Sequence, residues 1–320
     1  MNSGSGTTNA RKSSSGSFKG TKPTSAKNHP KKHIEVTPTG PLGFLNMCLM
    51  FVFKRFVFSQ THVKIGIYFG ALILCSLLKD FNMLNSRFYL AQKSNFINRY
   101  FVKLGWAWTL AVCTPFVIMS SIVYTGFNLN HIRKHVGRLL VATFIWFTFT
   151  SLFDVIDSNT GSCLKGEIKN KMECKSSRNE WVNGFDISGH VFILMHSLFL
   201  MLEEVKIFNQ WEQFHKKLEE KLRKDLTPDQ LSPESEDAIE RAEYWYIKLT
   251  PYLKINFIVM ALLALLWECM LLTTCLFFHT IMHKLLAACF AVGCWFITYK
   301  TWYADKNLLF SPGLPGEGIV

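Results

Sequence analysis

The chain predicts an all-α fold, a polytopic membrane protein with six transmembrane helices, an N-terminal interfacial helix and a cytosolic amphipathic helix. Nearly half of its 320 residues are apolar, 28 of them Phe, while only 18% are charged. The apolar residues gather in blocks of about 18 residues or more with few charges, the length that crosses a bilayer. Polar breaks separate six such blocks, so the two termini are expected on one side.

Residues 1–41 are rich in Ser, Thr, Gly and Lys and have almost no large apolar side chain. They cannot bury enough surface to offset the entropy of ordering, which predicts a disordered basic tail. No apolar stretch lies near Met1, so no cleavable signal is expected. Residues 42–58 are apolar but interrupted by Lys54 and Arg55, too short to span, and read as an interfacial helix. The membrane domain, 59–303, holds spans at about 63–79, 101–124, 136–156, 187–207, 252–276 and 281–300. The first spans if Lys64 and Lys79 snorkel to the interfaces.

The insert 208–250 begins on a helical pattern, with Ile207, Phe208, Trp211, Phe214, Leu218 and Leu222 at helical spacing. Glu219–Arg223 and Glu220–Lys224 add i,i+4 pairs, and the helix is expected to lie against the membrane. A linker with Pro228 and Pro233 follows, then a second helical stretch, 234–248. The tail 304–320 contains Ser311-Pro312-Gly313-Leu314-Pro315-Gly316, which is not helical.

Lys and Arg near the span ends set the orientation. The N-terminal tail and the loop bearing Arg133, Lys134 and Arg138 are assigned to the cytosol, which makes 80–100, 157–186 and the turn 277–280 lumenal. Five cations in 157–186 oppose this assignment, and the stronger N-terminal bias outweighs them. The net charge of +12 comes with no aromatic-interleaved basic module or finger spacing. Nucleic-acid binding is therefore excluded, and attraction to an anionic leaflet explains the charge. Seven of nine Cys lie in apolar stretches, where Cys acts as a small hydrophobe. Cys163 and Cys174 share one polar loop, either as a disulfide or as two free thiols.

Candidate chemistry follows from this parity. His190, in Asp186-Ile187-Ser188-Gly189-His190, and His279, in Phe278-His279-Thr280, both fall where an apolar segment meets a lumenal loop. Ionisable side chains at a bilayer boundary are functional candidates. Arg99 and Lys103 open the second span from that same face. Asp186 and Ser188 can cap the helix that follows, whose N–H groups favour phosphate together with Gly189 and Lys103. A nucleophile, a proton donor and anion-binding donors are then available for phosphoryl chemistry without a metal or other cofactor. The spacings His131/His135 and His279/His283 suggest a di-iron alternative, but topology assigns these pairs to opposite faces. Alone, each His is more simply a satisfied interfacial residue, and His196 reads as a buried polar residue bonded to a neighbouring helix. Glu268, inside the fifth span, must pair or protonate.

The segments NRYFVKLGWAWT (98–109) and GFDISGH (184–190) resemble the fat storage-inducing transmembrane family. Thr160 to Cys163, Phe278-His279-Thr280, Thr298 to Tyr303 and Ser311 to Pro315 extend the resemblance over residues 63–315. It implies a six-span endoplasmic-reticulum protein acting in lipid-droplet formation. It also implies acyl-CoA diphosphatase activity, which yields acyl 4′-phosphopantetheine and adenosine 3′,5′-bisphosphate, with His190 and His279 catalytic. By analogy with lipid phosphate phosphatases, His279 is the nucleophile and His190 the general acid. That superfamily's Lys-x6-Arg-Pro motif is absent, and no Asp follows His279. The resemblance equally allows a non-catalytic protein that binds triacylglycerol or diacylglycerol and recruits cytosolic protein partners.

Overall fold

The computed structural model describes residues 40–81, 89–92, 95–164, 168, 170–224 and 233–319. The expected N-terminal tail lies outside these residues up to position 39. The described chain is nearly all helical: α1 (Pro41–Val57), α2 (Thr61–Asp80), α3 (Gly105–Thr125), α4 (Leu129–Thr160), α5 (Lys171–Ser176), α6 (Gly189–Val205), α7 (Trp211–Lys224), α8 (Pro233–Phe277) and α9 (Ile281–Trp295). The two strands, β1 (Ser162–Cys163) and β2 (Trp181–Val182), form one small antiparallel ladder, Ser162 opposite Val182 and Cys163 opposite Trp181.

Among the described residues five helices are long and apolar enough to cross a membrane: α2, α3, α4, α8 from Glu236, and α9 with its π-helical extension Phe296–Trp302. The remaining expected span, 187–207, is α6, which is shorter at 17 residues. Every residue from Val191 to Val205 is buried, because α3, α4, α8 and α9 all pack around it. A helix enclosed on all sides is apolar on all sides. Lipid supplies no hydrophobic drive between helices, so close approach and interhelical hydrogen bonds must hold them. Ala287, Ala288 and Ala291 of α9 are fully buried and allow such an approach. His196 Nε2 meets the Ala142 carbonyl of α4 at 3.0 Å, the interhelical bond expected of it.

Tertiary contacts fix each helix's direction relative to α6. At the start of α6, Ser188 N–H donates to the His283 carbonyl at 3.3 Å, so α9 also starts there. Lys79, near the end of α2, donates to the His279 carbonyl at 2.8 Å. A methyl group built on Gly105 would lie 3.7 Å from Ile193 Cδ1, which brings the start of α3 to this end. Arg138, early in α4, instead pairs with Glu204 at the other end of α6. The segments α2, α3, α4, α6, α8 and α9 therefore alternate in direction.

Two helices extend past the stretches expected to span. Helix α4 starts at Leu129 rather than 136, because the Asn128 side chain accepts from Asn130 N–H and caps the helix early. Helix α8 starts at Pro233 and runs through Pro251 without a break before 252. Packing on α7 offsets the hydrogen bond that Pro251 removes. The Trp211 ring stacks on Tyr246 with centroids 5.3 Å apart, and its Nε1 donates to Thr250 Oγ1 at 3.1 Å. The apolar face of α7 is thus covered by protein: Trp211, Phe214 and Leu218 are buried, with Phe214 against Tyr124.

The C-terminal residues fold back onto the bundle. Ile319 N–H donates to the Tyr124 carbonyl at 2.9 Å, and Arg138 donates to the Gly313 carbonyl at 3.3 Å. Gly316 has φ +86, and a side chain there would run into Ile207, so the turn that docks the tail requires glycine.

Candidate active site

The sharp turn between α8 and α9 carries His279, whose φ is +50. A non-glycine residue in this left-handed region costs about 1 kcal/mol or more. The turn is held from two sides. Lys79 binds the His279 carbonyl. Lys284 is wholly buried and donates to the Cys275 carbonyl at 2.7 Å, tying the first turn of α9 to the last turn of α8. A cation on the free carbonyls of a helix C-terminus is favourable. Thr280 Oγ1 meets His283 Nδ1 at 3.1 Å, and His283 packs edge-on against Phe185.

The segment before α6 reaches this turn. Asp186 Oδ2 lies 3.4 Å from His279 Nδ1, with the imidazole 19% and the carboxylate 62% exposed. A proton held on Nδ1 by a carboxylate leaves the lone pair on Nε2. Four residues after Asp186, His190 stands in the first turn of α6, half buried. Ser188 caps this helix, its Oγ accepting from Val191 N–H at 3.3 Å, and it is itself fully buried. A methyl group built on Gly189 meets nothing within 4 Å, so open space faces the α6 N-terminus, the partially positive end of the helix.

Asp186, Ser188, Gly189, His190 and His279 therefore share one end of the bundle, as the parity of the spans predicts. Lys103 lies exposed in the turn that opens α3 at this end. Asp186 was expected to help hold phosphate, but its carboxylate faces the His279 ring. The sequence reading missed this partner because it sought an acid after His279, whereas Asp186 precedes it with α6, α7 and α8 in between. It also missed Lys284, which an isolated cation inside an apolar span could have flagged.

The loop 161–188 is braced beside this end. Cys163 and Cys174 form a disulfide with Cα atoms 5.9 Å apart, so of the two expected states the bridge is the one present. Lys171 pairs with Asp154 at 2.5 Å and with Asp157 at 2.6 Å. Burial works against the Lys171 charge, yet hydrogen bonds to these two carboxylates hold its pKa above the ordinary value. Phe185 N–H donates to Thr160 Oγ1 at 2.7 Å, anchoring the approach to Asp186.

Other charged side chains are committed elsewhere. Glu268 accepts from Lys64 at 2.9 Å and from the Tyr68 hydroxyl at 2.5 Å, so it is paired with α2. His135 meets Arg138 Nη1 and the Glu317 carbonyl, near the far end of α6 from His190. Arg138 and Glu204 are about 14 residues beyond His190 along that axis, roughly 21 Å at 1.5 Å per residue. Among the described residues no group of three or more His, Cys, Asp or Glu side chains could hold a metal ion.

The family described as fat storage-inducing transmembrane protein (FIT) matches residues 86–299. A Drosophila melanogaster protein named acyl-coenzyme A diphosphatase FITM2 is 34% identical over 306 residues, covering 94% of this chain and 69% of its own. The Xenopus tropicalis protein of that name is 29% identical, covering 85% of this chain and 93% of its own. The Homo sapiens one is 29% identical, covering 78% and 84%. No solved structure matches the chain. With the match spanning both histidine segments and most of the helical bundle, the chain belongs to the fat storage-inducing transmembrane protein family.

Proposed function

We propose that this chain is an acyl-CoA diphosphatase of the endoplasmic-reticulum membrane that cleaves the phosphoanhydride of fatty acyl-CoA. The products are acyl 4′-phosphopantetheine and adenosine 3′,5′-bisphosphate, and the reaction supports lipid-droplet formation. The relatives carry the name of this activity. The observation that carries the site assignment is the Asp186 carboxylate at His279 Nδ1, on the segment that leads into His190.

In this reading Asp186 orients the imidazole, and His279 Nε2 attacks one anhydride phosphorus. An N–P bond forms as the bond from phosphorus to the bridging oxygen breaks. His190 gives its proton to the departing phosphate oxygen. Water, deprotonated by His190, then attacks the phosphohistidine, so one water is consumed and His279 is regenerated. Donors at the α6 N-terminus around Gly189 and the Lys103 ammonium balance the charge on the non-bridging oxygens. Asp186 positions the ring and is kept apart from the anion by charge.

We further assign six membrane passes, counting α6, with both termini cytosolic and the histidines lumenal. The alternating helix directions support the even number of passes. The Cys163–Cys174 disulfide supports an oxidising compartment for the loop beside the site. The assay is release of adenosine 3′,5′-bisphosphate from oleoyl-CoA by the purified full-length protein in detergent. Release of inorganic phosphate or free CoA in its place assigns a different bond and overturns the reading.

A further inference from the structure

At the end of the bundle opposite His279, the turn between α1 and α2, the turn after α6 and the last turns of α9 enclose a cleft of about 390 Å³. Lys206, Lys300 and His62 line it, with the amides of Asn209 and Gln210, and no carboxylate does. Glu203, which pairs with Lys206, is buried and accepts from Thr61 Oγ1 at 3.2 Å, Lys206 Nζ at 2.5 Å and Trp295 Nε1 at 3.0 Å. The Lys206 side chain stays 40% exposed while so paired. Lys300 is exposed, its ammonium 5.5 Å from the centre of the Trp295 ring.

Lys300, beside the part-exposed Lys206 of the Glu203 pair and the adjacent amide donors, can recognise a phosphate group. What lies beside them decides its source. Phe296 and Ile297 are 56% and 62% exposed, and Phe296 precedes Lys300 by four positions, close to one turn of the π-helix. A ligand held by Lys300 therefore has an apolar strip one turn deeper along the same face. A free anion has no use for that strip, and an acyl chain does. The π-helical form of 296–302 adds to this, since such turns gather at functional sites.

We propose that this cleft binds the headgroup of an anionic phospholipid, and that the acyl chains run along Phe296 and its exposed neighbour Ile297. A second cationic cleft, of about 270 Å³ beside His131 and Lys134, differs because Glu317 lines it and sits 3.6 Å from Lys306. It serves as the internal control.

The test is native mass spectrometry of the full chain in detergent, titrated with dioleoyl phosphatidic acid or dioleoyl phosphatidylcholine. One phosphatidic acid is expected to be retained in preference to phosphatidylcholine. Lys300→Gln is expected to weaken its retention about 5-fold, the contribution of one cation near a membrane surface, and Lys300→Arg to preserve it. Lys134→Gln, which removes the same charge at the control cleft, is expected to change nothing. Equal loss in Lys134→Gln, or no preference between the two lipids, overturns the proposal. Displacement of the lipid by millimolar inorganic phosphate assigns the cleft to a soluble anion and overturns the lipid as occupant.

Discussion

Among the described residues Arg138 and Glu204 form the most enclosed ion pair, 2% and 1% exposed, and removing either charge is the most informative stability experiment. Arg138 Nε and Nη2 donate to the two carboxylate oxygens at 2.7 and 2.8 Å. The Tyr299 hydroxyl adds a third bond to Glu204 Oε1 at 2.7 Å. Three elements, α4, α6 and the end of α9, meet on that carboxylate, and Arg138 also holds the C-terminal tail through Gly313. Breaking a buried pair from one side leaves an uncompensated charge and costs about 3–5 kcal/mol. At roughly 2 °C per kcal/mol for a chain of this size, Arg138→Met and Glu204→Gln are each expected to melt about 6–10 °C lower. Replacing both charges at once, Arg138→Met with Glu204→Leu, removes the orphaned ion and is expected to recover at least half of the loss. The assay is the apparent melting temperature of the detergent-solubilised protein, followed by size-exclusion fluorescence. Single variants within about 1 °C of the parent, or a double variant as low as the sum of the singles, refute the reasoning.

Asp186→Asn keeps shape but loses charge at a partner 3.4 Å away. Because this carboxylate is largely exposed, about 1 kcal/mol is at stake, and kcat is expected to fall roughly 5- to 10-fold with KM unchanged. A rise in KM alone would instead make Asp186 a substrate ligand. Cys163→Ser opens an 11-residue separation whose closure contributes about 3 kcal/mol to local order. Trypsin is expected to cut between β1 and β2 faster, with the helical bundle left intact. His215 has its pKa raised, chiefly by its 2.9 Å hydrogen bond to Glu243, with Glu219 adding to it and Tyr246 stacked on the ring. A raised native pKa stabilises below the unfolded value near 6.5 and is lost as pH rises through the native value. The melting difference between parent and His215→Gln is therefore expected to shrink as pH rises above about 6.5, and a difference that grows would contradict the assignment.

The sequence shows the helices because blocks of apolar residues must be helical where water is absent. The parity of those blocks also puts His190 and His279 at one end, although 89 positions separate them. Hidden from the sequence are the partners that only tertiary structure supplies. Nothing local joins Arg138 to Glu204, or Asp186 to His279. The joining of the stretch 234–248 to the span from 252 as one helix through Pro251 shows only in the packing of Trp211 on Tyr246 and Thr250. The tail from Ser311 has the Pro and Gly content of a free end, yet its backbone groups dock on Tyr124 and Arg138. Lys103, placed by the sequence at the opening of the second span, stands exposed at the same end of the bundle as the two histidines.

The central claim is that His190 and His279 carry out the hydrolysis. Its most direct measurement is single-turnover release of adenosine 3′,5′-bisphosphate from oleoyl-CoA by His279→Ala and His190→Ala, both shown to melt like the parent. The account predicts a loss of at least about 10³-fold for each, with the double variant hardly lower than either single one, because the two act as a unit. Release at the parental rate by either variant would contradict it.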